Sequence, residues 1–139
     1  IELNQQPDLL EELIRIDSLV AKITSNLPDM DSDSEYRQQL VTLMRSALHA
    51  WEVTTQKSKI ELAEERNIWA VSIDDGRLRT RTFDRYLRLE QLPKVSRWRE
   101  VVRTAYFVLS IPTIETETRL GLEHELEKTK ALLKKAAID

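Results

Sequence analysis

Ile68-Trp-Ala-Val-Ser-Ile-Asp-Asp-Gly-Arg-Leu-Arg-Thr-Arg-Thr-Phe83 is the stretch whose reading decides the fold. It holds Gly76, one of only two glycines in the chain, and sets arginines at every second position, 77, 79 and 81. An Asp-Gly pair between two alternating runs is the strongest short-range signal for a tight hairpin, because glycine supplies the positive φ that a type I′ turn demands. With Asp75-Gly76 as the two-residue loop, Ile73 faces Leu78, Val71 faces Thr80 and Trp69 faces Thr82. That face is expected to pack on a core. The other face carries Arg77, Arg79 and Arg81 beside Asp74, Ser72 and Ala70. Guanidinium groups two strand rises apart stand roughly 7 Å from one another. Such a row suits an anionic surface.

On both sides of this signal the periodicity is helical. A helix is expected from Pro7, a favoured first-turn residue, with Leu9, Leu13, Ile16, Val20, Ile23 and Leu27 as a seam that Pro28 ends. The seam fits either a core helix or a dimerising coiled coil. Ser32 and Glu35 read as a capping box for a second helix with Tyr36, Leu40, Leu43, Met44, Ala47, Leu48 and Trp51 on one broad face. Lys57 to Asn67 supports a short helix that Asn67 can stop in the left-handed conformation. After the hairpin, a helix is expected from Thr82 through Phe83, Tyr86, Leu87, Leu89 and Leu92 to Pro93. Ser96 is placed to cap another, Arg97–Ser110. The last, about 114–137, carries Leu122, Leu126, Thr129 and Leu133 on a seam, with acidic residues early and lysines late, as the helix dipole favours. Gly121 inside it costs about 1 kcal/mol relative to alanine. The fold class is therefore mainly α: a single helical domain over 1–139 of five or six helices with one β-hairpin at about 68–83. The chain begins with Ile1 rather than Met, which suits a fragment of a longer protein.

Composition narrows the function. Hydrophobic residues make up 41% and charged residues 32%, which suits a helix-rich globule. No apolar run approaches a membrane span, so no membrane partner is expected and the cytoplasm is the default location. Without cysteine there is no disulfide scaffold or thiolate metal site, and His49 and His124 belong to no ligand-spaced cluster. Two glycines build no phosphate-cradling loop, and no serine sits in a nucleophile elbow. Asp74-Asp75 is a carboxylate pair better explained by turn chemistry. No enzymatic activity and no cofactor are expected.

Charge is unevenly placed. Residues 1–56 hold four basic and ten acidic side chains, whereas residues 77–103 hold nine basic and three acidic. A basic centre of this kind meets a polyanion or docks on an acidic segment. Leu62, Ala63, Asn67 and Ile68 loosely resemble the first helix and turn of a helix-turn-helix. Arg66 stands where an apolar residue is usual, however, and Asp74-Asp75-Gly76 would interrupt the following recognition helix, so the chain is not assigned to that family. A basic wing with a neighbouring helix fits better. Arg77, Arg79, Arg81, Arg85 and Arg88 are then the nucleic-acid-binding candidates, with Lys57, Lys59, Arg97 and Arg99 as outliers.

The expected function is a DNA-binding regulatory or DNA-transaction module, and the expected partners are DNA and a second copy of the chain, as a homodimer held through the Leu9–Leu27 and Leu122–Leu133 seams. The alternative is a protein–protein interaction or oligomerisation module of a larger signalling or assembly protein. In that reading the arginines pair with acidic protein surface or protect a sheet edge.

Overall fold

The computed structural model describes residues 34–138. The Leu9–Leu27 seam, its start at Pro7, its stop at Pro28 and the Ser32 half of the expected capping box lie outside the described residues. Helix α1 (Ser34–Thr55) buries Tyr36, Leu40, Leu43, Met44, Ala47 and Trp51, the face its periodicity predicts. Thr55 turns its hydroxyl back to the Trp51 carbonyl (2.8 Å), and Gln56 follows at φ 61°. Three β-branched positions in a row, Val53 to Thr55, thus fall at the end of the helix, where their weak helix propensity matters least.

Ser58 then caps α2 (Lys59–Glu64) through a capping box of its own: its side chain accepts from the Glu61 N–H while Glu61 accepts from the Ser58 N–H. A 3₁₀ turn, Glu65–Asn67, ends at Asn67 with φ 53°, the left-handed stop expected there. Strands β1 (Ser72–Asp74) and β2 (Arg77–Arg79) form an antiparallel hairpin with Ile73 opposite Leu78. Asp75 (φ 52°) and Gly76 (φ 75°) make the turn, both left-handed as a type I′ loop requires.

Register and turn are as the sequence predicts, but two expectations are corrected. The ladder has three pairs, Ser72 with Arg79 through Asp74 with Arg77, so Val71–Thr80 and Trp69–Thr82 are not part of it. The chain enters helix α3 (Arg81–Arg85) immediately after Thr80. The apolar face of the hairpin also does not pack on the core: Ile73 is 75% exposed and Leu78 46%. Among the described residues no layer lies behind the ribbon to receive them.

The single helix expected over 82–92 is likewise broken, into α3 and a 3₁₀ turn at Leu89–Gln91. Long-range bonds from α1 set this shape. Arg45 Nε donates to the Leu87 carbonyl, and Arg37 donates to the carbonyls of Leu92 (3.0 Å), Pro93 (3.0 Å) and Lys94 (3.3 Å). Carbonyls gripped from the side are satisfied without a continuous helix.

Helix α4 (Trp98–Leu109) buries Trp98, Val101, Val102, Ala105, Val108 and Leu109. Its N-cap is Arg97, whose backbone N–H donates to the Tyr86 hydroxyl; Ser96 is buried and does not hold the capping position. Helix α5 (Thr116–Ile138) buries Leu122, Leu126, Thr129 and Leu133. It packs along α1, and Gln39 Nε2 on α1 donates to the Glu125 carbonyl (3.0 Å) and to its carboxylate (3.1 Å). The Leu122–Leu133 seam is therefore core within one chain. The buried apolar residues of α1, α2, α3, α4 and α5 form a single cluster.

Candidate nucleic-acid interface

Trp69 fixes where the hairpin stands. Its indole is 3% exposed, and its Nε1–H donates to the Thr104 hydroxyl at 2.7 Å; that hydroxyl in turn donates to the Glu100 carbonyl at 2.7 Å. The same ring packs edge-on against Phe83 (centroids 5.6 Å apart) and tilted against Tyr86 (5.1 Å). The base of the ribbon is thus bolted to α4 and α3 by one side chain. Asp84 makes the next tie, accepting from the Thr80 hydroxyl (3.0 Å) and pairing with Lys59 on α2 (2.6 Å). Both members of that ion pair are about a third or more exposed, so its value lies in position more than energy.

The five candidate arginines are all exposed and lie on consecutive elements: Arg77 and Arg79 on β2, Arg81 and Arg85 at the two ends of α3, and Arg88 just beyond it. Arg77 lies opposite Asp74 and Arg79 opposite Ser72, so these two share one face of the ribbon, as expected. Arg81 does not extend that row. It begins a helix, and its guanidinium turns back to the Asp74 carboxylate. Arg85 Nε donates to the Gln91 carbonyl at 3.2 Å. Among the described residues, Arg77 and Arg79 on the ribbon and Arg88 beyond α3 have neither an ion pair nor a side-chain hydrogen bond, and Arg85, tied to a carbonyl through one nitrogen, has no ion pair.

The outliers divide. Lys57 is exposed and lies 6.0 Å from the Trp51 ring centroid, whereas Lys59 is committed to Asp84. Arg97 is exposed, and Arg99 lies over the Trp98 ring at 6.0 Å. Tyr86, buried beneath this region, has its phenol pushed above the ordinary range by desolvation. The N–H and charge of Arg97 oppose that shift, Glu100 adds to it, and the charge of Arg85 opposes it. Sequence reasoning missed the Trp69–Thr104 bond, which joins positions 35 apart, and the solvent exposure of Ile73 and Leu78.

The hairpin does stand between α2 and α3, separating the two short helices as the Asp-Asp-Gly signal implies. The chain thus carries a basic two-stranded ribbon between short helices on a helical core. The structure is similar to the crystal structure of the DNA-binding domain from the sensor histidine kinase ChiS from Vibrio cholerae. The TM-score is 0.67 and the identity 38%, over 71% of this chain and 92% of that domain. The chain belongs to the family of that domain. No protein-family model matches the sequence, and no curated protein matches it.

Proposed function

We propose that this chain is a DNA-binding module that engages duplex DNA through its hairpin and the adjoining α3 region. The observation that carries the reading is membership in a family whose Vibrio cholerae relative is described as a DNA-binding domain. The exposed arginines supply the physical means, since Arg77, Arg79 and Arg88 are free for phosphates and Arg81 and Arg85 border them. Ser72–Arg79 projects from the core, while Trp69 and Asp84 hold its base. A rigid base with a charged, solvent-facing ribbon is what positioning on a polyanion requires.

The role is regulatory and non-catalytic, in the cytoplasm. Self-association into a homodimer belongs to the same reading. Its support rests on the Leu9–Leu27 stretch alone, because the Leu122–Leu133 seam is used within the chain.

A titration of labelled duplex with the intact chain tests the binding. Each neutralised phosphate contributes about −0.9 to the slope of log affinity against log salt, so three free arginines give about −3 and all five about −4 to −5. The combined change Arg77→Ala, Arg79→Ala, Arg81→Ala should flatten that slope by about two to three units, on the order of one for each arginine that neutralises a phosphate. Absence of binding at low salt, or a slope untouched by the triple change, refutes the reading.

A further inference from the structure

The ribbon Ser72–Arg79 carries two aliphatic side chains, and neither belongs to the core. Ile73 and Leu78 sit directly opposite each other on one face of the hairpin, 75% and 46% exposed, while Arg77 and Arg79 occupy the other face. We propose that the hairpin lies in the major groove of DNA with the Ile73–Leu78 face toward the base edges, where the pair contacts thymine methyl groups and the arginines reach the flanking phosphates. This rests on the DNA-binding reading above.

Three observations select that occupant and that groove. The first is size: the major groove, about 12 Å wide, admits a two-stranded ribbon without deformation, whereas the minor groove of about 6 Å admits one only when the duplex is bent and the groove widened. The second is the acidic tip. Asp75 is exposed at the turn, and a carboxylate finds amino donors, cytosine N4 and adenine N6, in the major groove; the minor groove is lined chiefly by acceptors. Asp74, the other acid at the tip, is already neutralised by Arg81. The third is the apolar pair itself. Thymine C5-methyl groups are the apolar feature of a base edge, and they stand only in the major groove. Two aliphatic side chains are far too little surface for a stable protein interface, which needs roughly 800 Å² from each partner. Contact with one or two methyl groups is the scale they match, and the long side chains of Arg77 and Arg79 reach the phosphates only by bending back past the strand edges.

The test uses the full chain and an A·T-rich duplex, prepared once with thymine and once with uracil at every thymine position, which removes only the methyl groups. Burial of one methyl corresponds to about a fourfold change in affinity. The wild-type chain should therefore bind the uracil duplex about fourfold more weakly for each methyl contacted, on the order of four- to sixteenfold in all. The variant Ile73→Ser, Leu78→Ser should bind the two duplexes equally; both positions face solvent, so its unfolding curve should match wild type. Equal wild-type affinity for the two duplexes, a variant that keeps the thymine preference, or displacement of the chain by the minor-groove ligand netropsin overturns the proposal while leaving DNA binding intact. Failure of the wild type to bind either duplex at low salt overturns the DNA-binding reading and this inference with it.

Discussion

Replacing Thr104 with valine isolates the bond that bolts the hairpin to the helical core. Thr104 is fully buried, and its hydroxyl accepts the Trp69 indole N–H at 2.7 Å while donating to Glu100 at 2.7 Å. Valine keeps the shape, so no cavity opens; what changes is that a buried indole donor loses its acceptor. An orphaned donor of this kind costs about 1–3 kcal/mol, more than the roughly 1 kcal/mol net value of an ordinary hydrogen bond. We expect Thr104→Val to lose about 2 kcal/mol, a fall in Tm of about 8 °C for a domain of this size. The control is Trp69→Phe, which removes the donor and leaves some empty volume behind. In that background Thr104→Val should cost at most about 0.5 kcal/mol, since no indole remains to be orphaned. Urea unfolding followed by far-ultraviolet circular dichroism measures all four corners of the cycle. A Thr104→Val stability within about 0.5 kcal/mol of wild type, or an equal loss in both backgrounds, would refute the reasoning.

Gly76→Ala and Gly121→Ala should move stability in opposite directions. An added Cβ meets nothing within 4 Å at either site, but Gly76 has φ +75° and alanine there costs about 1–2 kcal/mol, whereas Gly121 lies in a helix and alanine stabilises by about 1 kcal/mol; urea midpoints give both signs. Ser58→Ala removes the capping box of α2 and should cost about 1 kcal/mol, read in the same assay, with Ser58→Asp retaining most of the stability. Burial raises the Tyr86 phenol above 10.0 in the folded chain, so its neutral form contributes stability that is complete below pH 10.0 and declines as pH rises through the raised value. Tyr86→Phe should lose that alkaline decline in a pH series of unfolding curves, at the cost of about 1 kcal/mol for the acceptor of the Arg97 N–H.

What is legible in the sequence is what local chemistry determines. Asp75-Gly76 fixes the turn type and therefore the register, because two consecutive left-handed residues are accessible to few other pairs. Asn67 gives the helix stop for the same reason. Alternation from Arg77 to Arg81 gives the parity of the arginines but not the end of the strand. Thr80 and Asp84, four apart and bonded through their side chains, are the available sign that a helix starts there. Alternation likewise says which residues share a face and never whether a second layer lies behind it, which is why Ile73 and Leu78 read as buried and stand exposed. The break in the 82–92 segment is set by Arg37 and Arg45, more than 40 positions upstream, and no local pattern contains it. A leucine seam on α5 reads identically for a dimer and for a helix packed on its own chain; α1 decides between them. Among the site residues, exposure of all five arginines follows from their charge, while the pairing of Arg81 with Asp74 depends on the turn into α3.

The separation of the ribbon from the core has an evolutionary consequence. From Ser72 to Arg79 every side chain but Asp74 is exposed, and the backbone path is set by Trp69 below the segment and by the Asp75-Gly76 turn at its tip. Exposed substitutions away from such anchors usually change stability by no more than about 0.5 kcal/mol. Positions 72, 73, 77, 78 and 79 are thus free to vary with almost no penalty to folding, whereas 69, 76 and 104 are not. A domain built this way can diversify what it recognises, one exposed residue at a time, without passing through unstable ancestors.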